Sequence, residues 1–190
     1  MKRGENPADQ RYSAPAIALH WLLAAGIIGT FAAGWYLSGQ PFSMAKLKLI
    51  NWHKWAGVTI LALSLLRLVW RLTHRPPALP ARIQSAMPRW QRAAHHGVHH
   101  LLYLLFFAVP LLGWAASSAK GFPIVWFGVL PLPDWVPVNQ ELGKTLQGLH
   151  GWAAWSLVAL AGLHVAAALK HHWIDRDGLL GRMSPGRRAG

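Results

Sequence analysis

The 190-residue chain contains no cysteine. That excludes disulfides, thiolate metal ligands, iron–sulfur clusters and covalent haem attachment through CxxCH. Acidic residues are scarce as well: Asp and Glu total 6, against 19 Lys and Arg. None of the six falls inside the long apolar runs. No small-residue cleavage site follows the first of these runs, so it reads as a retained span and not as a signal peptide. No internal repeat is evident beyond a recurring 14-residue spacing of polar residues. Only 13% of residues are charged and 53% are hydrophobic, which departs from a soluble globular composition. A net charge of +13 can mark a nucleic-acid binder, but here the basic residues sit mostly at the ends of apolar runs, which argues for a membrane and against nucleic acid.

What is present is four apolar runs and twelve tryptophans, a residue that favours the membrane–water interface. The expected fold is an all-α, integral-membrane four-helix bundle forming one domain over residues 1–190. Its spans are placed at about 14–37, 47–72, 90–116 and 145–172, with a basic tail at 173–190. Gly26, Gly29 and Gly34 in the first span would permit close approach by a neighbour or a cofactor. The proline- and arginine-rich segment after the second span cannot continue a helix. Residues 117–144, rich in proline and tryptophan, read as an interfacial cap.

Four spans put both termini on one side, and the positive-inside rule chooses which. Lys2, Arg3, Arg11, Arg75, Arg82, Arg89, Arg92, Lys170, Arg176, Arg182, Arg187 and Arg188 lie on the terminal side. The other two loops carry only Lys46, Lys48, Lys120 and Lys144. Both termini are therefore expected in the cytoplasm.

That topology sorts the histidines by depth. His150 and His164 are 14 residues apart, which at about 100° per residue returns them to within roughly 40° of one face, about 21 Å apart along the axis. An ionisable side chain within a span is a functional-site hypothesis by default. At the outer level only His53 and His150 are available, so they form a forced pair. The inner level is crowded by His20, His164, the His95/His96/His99/His100 cluster, His171 and His172. Matching depths pair His20 with His164. Two imidazoles on facing helices, with no Cys, Asp or Glu beside them, suit the axial positions of haem b. Bis-histidine ligation favours electron transfer over oxygen binding, and two such sites would form a wire across the membrane. Arg67, 14 residues after His53, needs an anionic partner at the inner level, and a haem propionate would serve. Arg71, one turn on, joins it or snorkels to the surface. Gly57 would leave room for a porphyrin.

The segments ALHWLL, NWHKWAG, HGVHHLLYLLFFAVPLLGW and GLHGWAAWSLVALAGLHVAAALKHHW resemble the bacterial cytochrome b561 family of small di-haem membrane proteins, over about residues 12–184. The resemblance implies two non-covalent haem b groups, ligated by His20 with His164 and by His53 with His150, in the bacterial inner membrane. It also implies electron transfer with the quinone pool. Stand-alone members include superoxide oxidases, which implies superoxide as the periplasmic donor and ubiquinone as the acceptor. The alternative function is a haem-b anchor subunit that links a separate dehydrogenase or hydrogenase to the quinone pool, with a protein as donor. A non-redox transporter using the histidines for metal or protons is the third reading, lowered by the lack of intramembrane carboxylates.

The remaining polar residues are assigned around this frame. His96 and His99, which match histidines in related sequences, are expected at the inner haem or the quinone. His171, seven residues after His164 and near its face, is the candidate proton donor to quinone. His74 reads as solvated. Lys46, Lys48, Lys54 and Lys120 would form a positive outer field that attracts a small anion.

Overall fold

The computed structural model describes residues 11–80, 83, 85 and 88–185, except the side chains of Trp90, Arg92 and His96. Four long helices dominate it: α1 (Ala14–Ser38), α2 (Met44–Thr73), α3 (Arg89–Ala119) and α4 (Gln140–Lys170). The shortest, α1, has 25 residues, or about 37 Å at 1.5 Å per residue. All four are long and apolar enough to cross a bilayer. Large apolar side chains such as Leu22, Ile28, Leu65, Leu104 and Leu163 are exposed around the bundle, as lipid-facing residues must be.

Local chemistry sets the helix ends. Pro15 occupies the first turn of α1, where its missing N–H costs nothing. The Ser43 hydroxyl caps α2 by accepting from Lys46 N, and the Asn139 side chain caps α4 by accepting from Leu142 N. α2 stops at Thr73, just ahead of Pro76 and Pro77. This cap lets α4 begin at Gln140, within the polar stretch before its apolar run.

α3 packs along α4, α1 against α2, and α2 against α3. The α3–α4 contact is close because its residues are small. Ala115, Ala116, Ser117, Ser118 and Ala119 are all buried, and a Cβ added to Gly143 would lie 2.7 Å from Lys120 Cγ. The buried core is an apolar plug of Leu23, Ile27, Ile60, Leu102 and Leu157. Leu157 lies midway in sequence between His150 and His164, so the plug separates the bundle into two levels.

Between α3 and α4 a short antiparallel hairpin forms, β1 (Val125–Trp126) with β2 (Leu130–Pro131). Its turn places Phe127 and Gly128 at positive φ. The hairpin is stapled to α2 by two indole donors. Trp55 Nε1 donates to Val125 O at 2.6 Å, and Trp126 Nε1 donates to Trp55 O at 3.3 Å. At the opposite end the two ends of the described chain meet. Tyr12 N donates to Arg182 O, Trp21 Nε1 donates to Met183 O, and the Arg11 guanidinium donates to Ser184 O. Both ends of the described chain therefore lie on one side of the bundle, here called the terminal end, with the hairpin at the other.

Beyond α4 the helix widens into a π-helical turn, His171–Asp175, and reverses at Arg176, whose φ of 49° is left-handed. A 3-10 turn, Leu179–Met183, then folds back under the bundle.

Candidate functional site

At the hairpin level α2 presents His53 and α4 presents His150. Their ring centroids are 6.2 Å apart, with planes at 88°. The other two helices contribute glycines. A Cβ on Gly34 of α1 would lie 3.1 Å from His53 Cε1, and one on Gly113 of α3 would lie 3.0 Å from His150 Cε1 and Nδ1. His150 Nδ1 is 2.9 Å from Val109 O. A carbonyl only accepts, so Nδ1 carries the proton and Nε2 keeps its lone pair. His53 Nδ1 is buried with no hydrogen-bond partner at good geometry. Gly57 faces open space and lines a cleft with both histidines, Phe106 and Pro110.

At the terminal level α1 presents His20 and α4 presents His164, with centroids 6.3 Å apart and planes at 76°. His99 of α3 joins them, its ring 5.2 Å from that of His164. His99 Nδ1 is 2.6 Å from His95 O, so it donates there. The backbone of His96 belongs to α3, but its side chain lies outside the described residues. His95 and His100 are exposed. His74 is exposed and stacks on Trp70, with centroids 3.7 Å apart.

Arg67 reaches the terminal level from α2. Its Nη1 donates to Ala16 O at 3.4 Å, and its Nε is buried without a partner. Among the described residues no carboxylate pairs with it. Arg71 is exposed on α2 and lines a cleft of about 640 Å³ together with Arg67, Arg11 and Arg75.

His171 does not stand alone. Its Nδ1 lies 2.6 Å from Asp177 Oδ2 and 3.1 Å from Asp175 Oδ2. Lys170 Nζ holds Asp175 at 2.7 Å. Both carboxylates had a sequence signal, at positions four and six beyond His171 in HHWIDRD, but six is not a helical contact spacing. The π turn and the left-handed Arg176 bring Asp177 back over the ring.

At the hairpin end Lys54 Nζ donates to Phe122 O at 3.1 Å, and Lys120 Nζ donates to Gln147 Oε1 at 3.3 Å. Lys46 Nζ donates to Gln40 O, and Lys48 lies over the Trp52 ring. Partial burial holds the Lys120 ammonium below the ordinary lysine pKa.

Apolar helices exposed on their outer faces, with facing histidines at two levels and no carboxylate beside them among the described residues, define a multi-pass membrane protein organised around imidazole pairs. Residues 11–186 match the family model described as prokaryotic cytochrome b561. The chain is 35% identical to Cytochrome b561 homolog 2 of Escherichia coli (strain K12), over 92% of this chain and 91% of that protein. It is 34% identical to Cytochrome b561 homolog 1 of the same organism, over 94% and 99%. It is 32% identical to Probable superoxide oxidase CybB of Yersinia pestis, over 94% and 98%. The chain belongs to the prokaryotic cytochrome b561 family, whose work is membrane electron transfer of the oxidoreductase type and whose expected cofactor is haem b.

The residues present fit that cofactor. Two imidazoles on opposite sides of one metal ion, each with a metal–nitrogen bond of about 2.0–2.1 Å, have ring centres about 6 Å apart. Both pairs have this separation. Edge-to-face packing alone spans the same range, but it would leave the Arg67 Nε atom buried without a partner.

Proposed function

We propose that this chain passes electrons from superoxide, at the periplasmic face of the bacterial inner membrane, to ubiquinone at the cytoplasmic face. The observation that carries the reading is the equal spacing of two imidazole pairs, 6.2 and 6.3 Å, one on each side of an apolar plug. His53 with His150 would hold one haem b, and His20 with His164 a second. Haem bound at these two levels would supply a one-electron redox centre at each.

The chain's own residues do the rest. Val109 O orients the His150 ring by accepting from Nδ1. Gly34 and Gly113 leave the imidazoles room to turn. Arg67, with Arg71 one turn on, would offset the propionate charge of an inner haem. The plug of Leu23, Ile27, Ile60, Leu102 and Leu157 keeps water and protons from following the electrons. The arginines at the terminal end, far outnumbering the lysines at the hairpin end, favour cytoplasmic termini.

On the periplasmic side Lys46, Lys48, Lys54 and Lys120 attract the anion, which needs no base or nucleophile to give up an electron. Two superoxide anions release two electrons and become two O₂. Ubiquinone takes two electrons and two protons to become ubiquinol, so the cytoplasmic side needs a proton source. His171 is assigned that role, held by Asp177 and Asp175, with His99 and His96 as further quinone-side groups. The name of the Yersinia relative, a probable superoxide oxidase, supports the choice of donor.

The test is superoxide-driven reduction of a soluble ubiquinone analogue by the purified chain. Reduction that is abolished in His150→Ala supports the reading. A haem-loaded chain that ignores superoxide but accepts electrons from a dehydrogenase or hydrogenase partner would replace it with the anchor-subunit role.

A further inference from the structure

The cleft at the terminal end has a property that the electron path does not use. It holds about 640 Å³ and is lined by Arg11, Arg67, Arg71 and Arg75, with no Asp or Glu among its described lining residues. Of its guanidinium groups not already assigned to a haem propionate, that of Arg11 has a buried Nε atom without a partner. Among the described residues Arg11 otherwise gives one hydrogen bond, to Ser184 O. A buried, unpaired guanidinium nitrogen is costly unless an anion completes it. The two propionates of an inner haem would offset two of the four arginines and leave two with no counter-charge among the described residues. The count uses the haem assignment, but an empty inner site would leave four positive charges and strengthen the demand.

The walls say what kind of anion fits. Trp70, Pro76, Pro77 and Met183 make one side of the cleft apolar, and Tyr103 adds a phenol. The cleft lies where α1 begins and α2 ends, at the depth of the bilayer interface. Val69 and Leu72 are exposed on α2 at the same level. A phosphodiester can take bidentate bonds from guanidinium groups while its acyl chains follow exposed apolar faces. We propose that this cleft is a binding site for the phosphate headgroup of an anionic phospholipid, seated by Arg11 and Arg75, which ties the start of α1 and the end of α2 to the membrane surface. Basic pockets at the cytoplasmic ends of spans have the chemistry for this.

The experiment uses the full haem-loaded chain in mild detergent. Delipidated protein is exchanged into nanodiscs of phosphatidylglycerol or phosphatidylcholine, returned to detergent, and examined by native mass spectrometry. Wild type is expected to retain one phosphatidylglycerol and no phosphatidylcholine. In R75Q retention should fall by roughly 5-fold, and in R11Q with R75Q by roughly 30-fold, with haem content unchanged. Excess inorganic phosphate should not displace the lipid. Displacement at millimolar phosphate would make the site one for free phosphate and overturn the lipid assignment. Equal retention of the two lipids, or retention unchanged in the variants, would also overturn it. Haem loss in R75Q without lipid loss would return the cleft to the haem. R75K, which keeps the charge on a residue exposed at the helix end, separates a charge effect from a folding defect: its retention should lie between wild type and R75Q.

Discussion

Gly113 stands so close to His150 that a Cβ added there would lie 3.0 Å from the ring. Gly34 has the same relation to His53, at 3.1 Å. In a helix, Gly→Ala is ordinarily stabilising by roughly 0.5–1 kcal/mol. At these two positions the methyl must push an imidazole. Gly113→Ala and Gly34→Ala should each perturb one haem, seen as a high-spin component or a lowered haem ratio. Gly29→Ala, where a Cβ meets nothing within 4 Å, should leave the spectrum unchanged and raise the melting temperature. Equal spectra in all three variants would show that the glycines do not serve the ligands.

Asp177→Asn keeps the shape at His171 but removes the charge that balances its protonated form. Stopped-flow measurements should find electron uptake from superoxide unchanged and ubiquinone reduction slowed several-fold. His171→Gln should have the same effect, and the double variant should add little to either single one. Independent, additive losses would place Asp177 in a purely structural role.

How much of this was readable beforehand differed by level. The four-helix membrane bundle followed from the apolar runs, because a bilayer demands long apolar helices and few other elements. The meeting of His53 with His150 was legible because no other histidine shares that depth. His20 with His164 rested on depth alone, and the structure adds His99 5.2 Å from His164, a neighbour that spacing could not single out from its cluster. The hairpin at Val125–Pro131 was hidden in a proline-rich stretch, since its register depends on the indoles of Trp55 and Trp126 and not on its own pattern. Asp177 was missed because it reaches His171 through a π turn and a left-handed residue, a route that helical periodicity does not describe. The apolar exposed faces and the glycines were visible, but a helical glycine has several possible reasons, and only the neighbouring ring distances chose one.

Arg67→Gln removes a positive charge from the inner level. A nearby cation favours the reduced form, so the midpoint potential of one haem should fall by on the order of 50 mV, where 59 mV is a tenfold change for one electron. The other haem should stay where it is. A redox titration in which neither centre moves would remove Arg67 from the propionate.

The lysines of the hairpin end give a salt and pH signature. The rate with superoxide should fall as ionic strength rises, over the range in which the Debye length shrinks from about 30 Å to about 8 Å. It should fall more gently in Lys54→Gln with Lys120→Gln. The depressed Lys120 pKa means that its positive charge is present at neutral pH and is lost as pH rises, sooner than for a free lysine. The rate should accordingly begin to decline below the ordinary lysine range, and Lys120→Gln should flatten that decline. A salt-independent rate would mean that the donor is not drawn in as an anion.

The most direct test of the account is the absorbance of the purified chain, oxidised and dithionite-reduced, with a pyridine haemochrome count. Two non-covalent, low-spin b-type haems per chain are expected, falling to one in His53→Ala or His150→Ala and to a different one in His20→Ala or His164→Ala. The near-perpendicular ring planes, 88° and 76°, should give highly anisotropic low-spin signals by electron paramagnetic resonance. One haem in the wild-type chain, or a haem lost from neither pair of variants, would contradict the two-level arrangement.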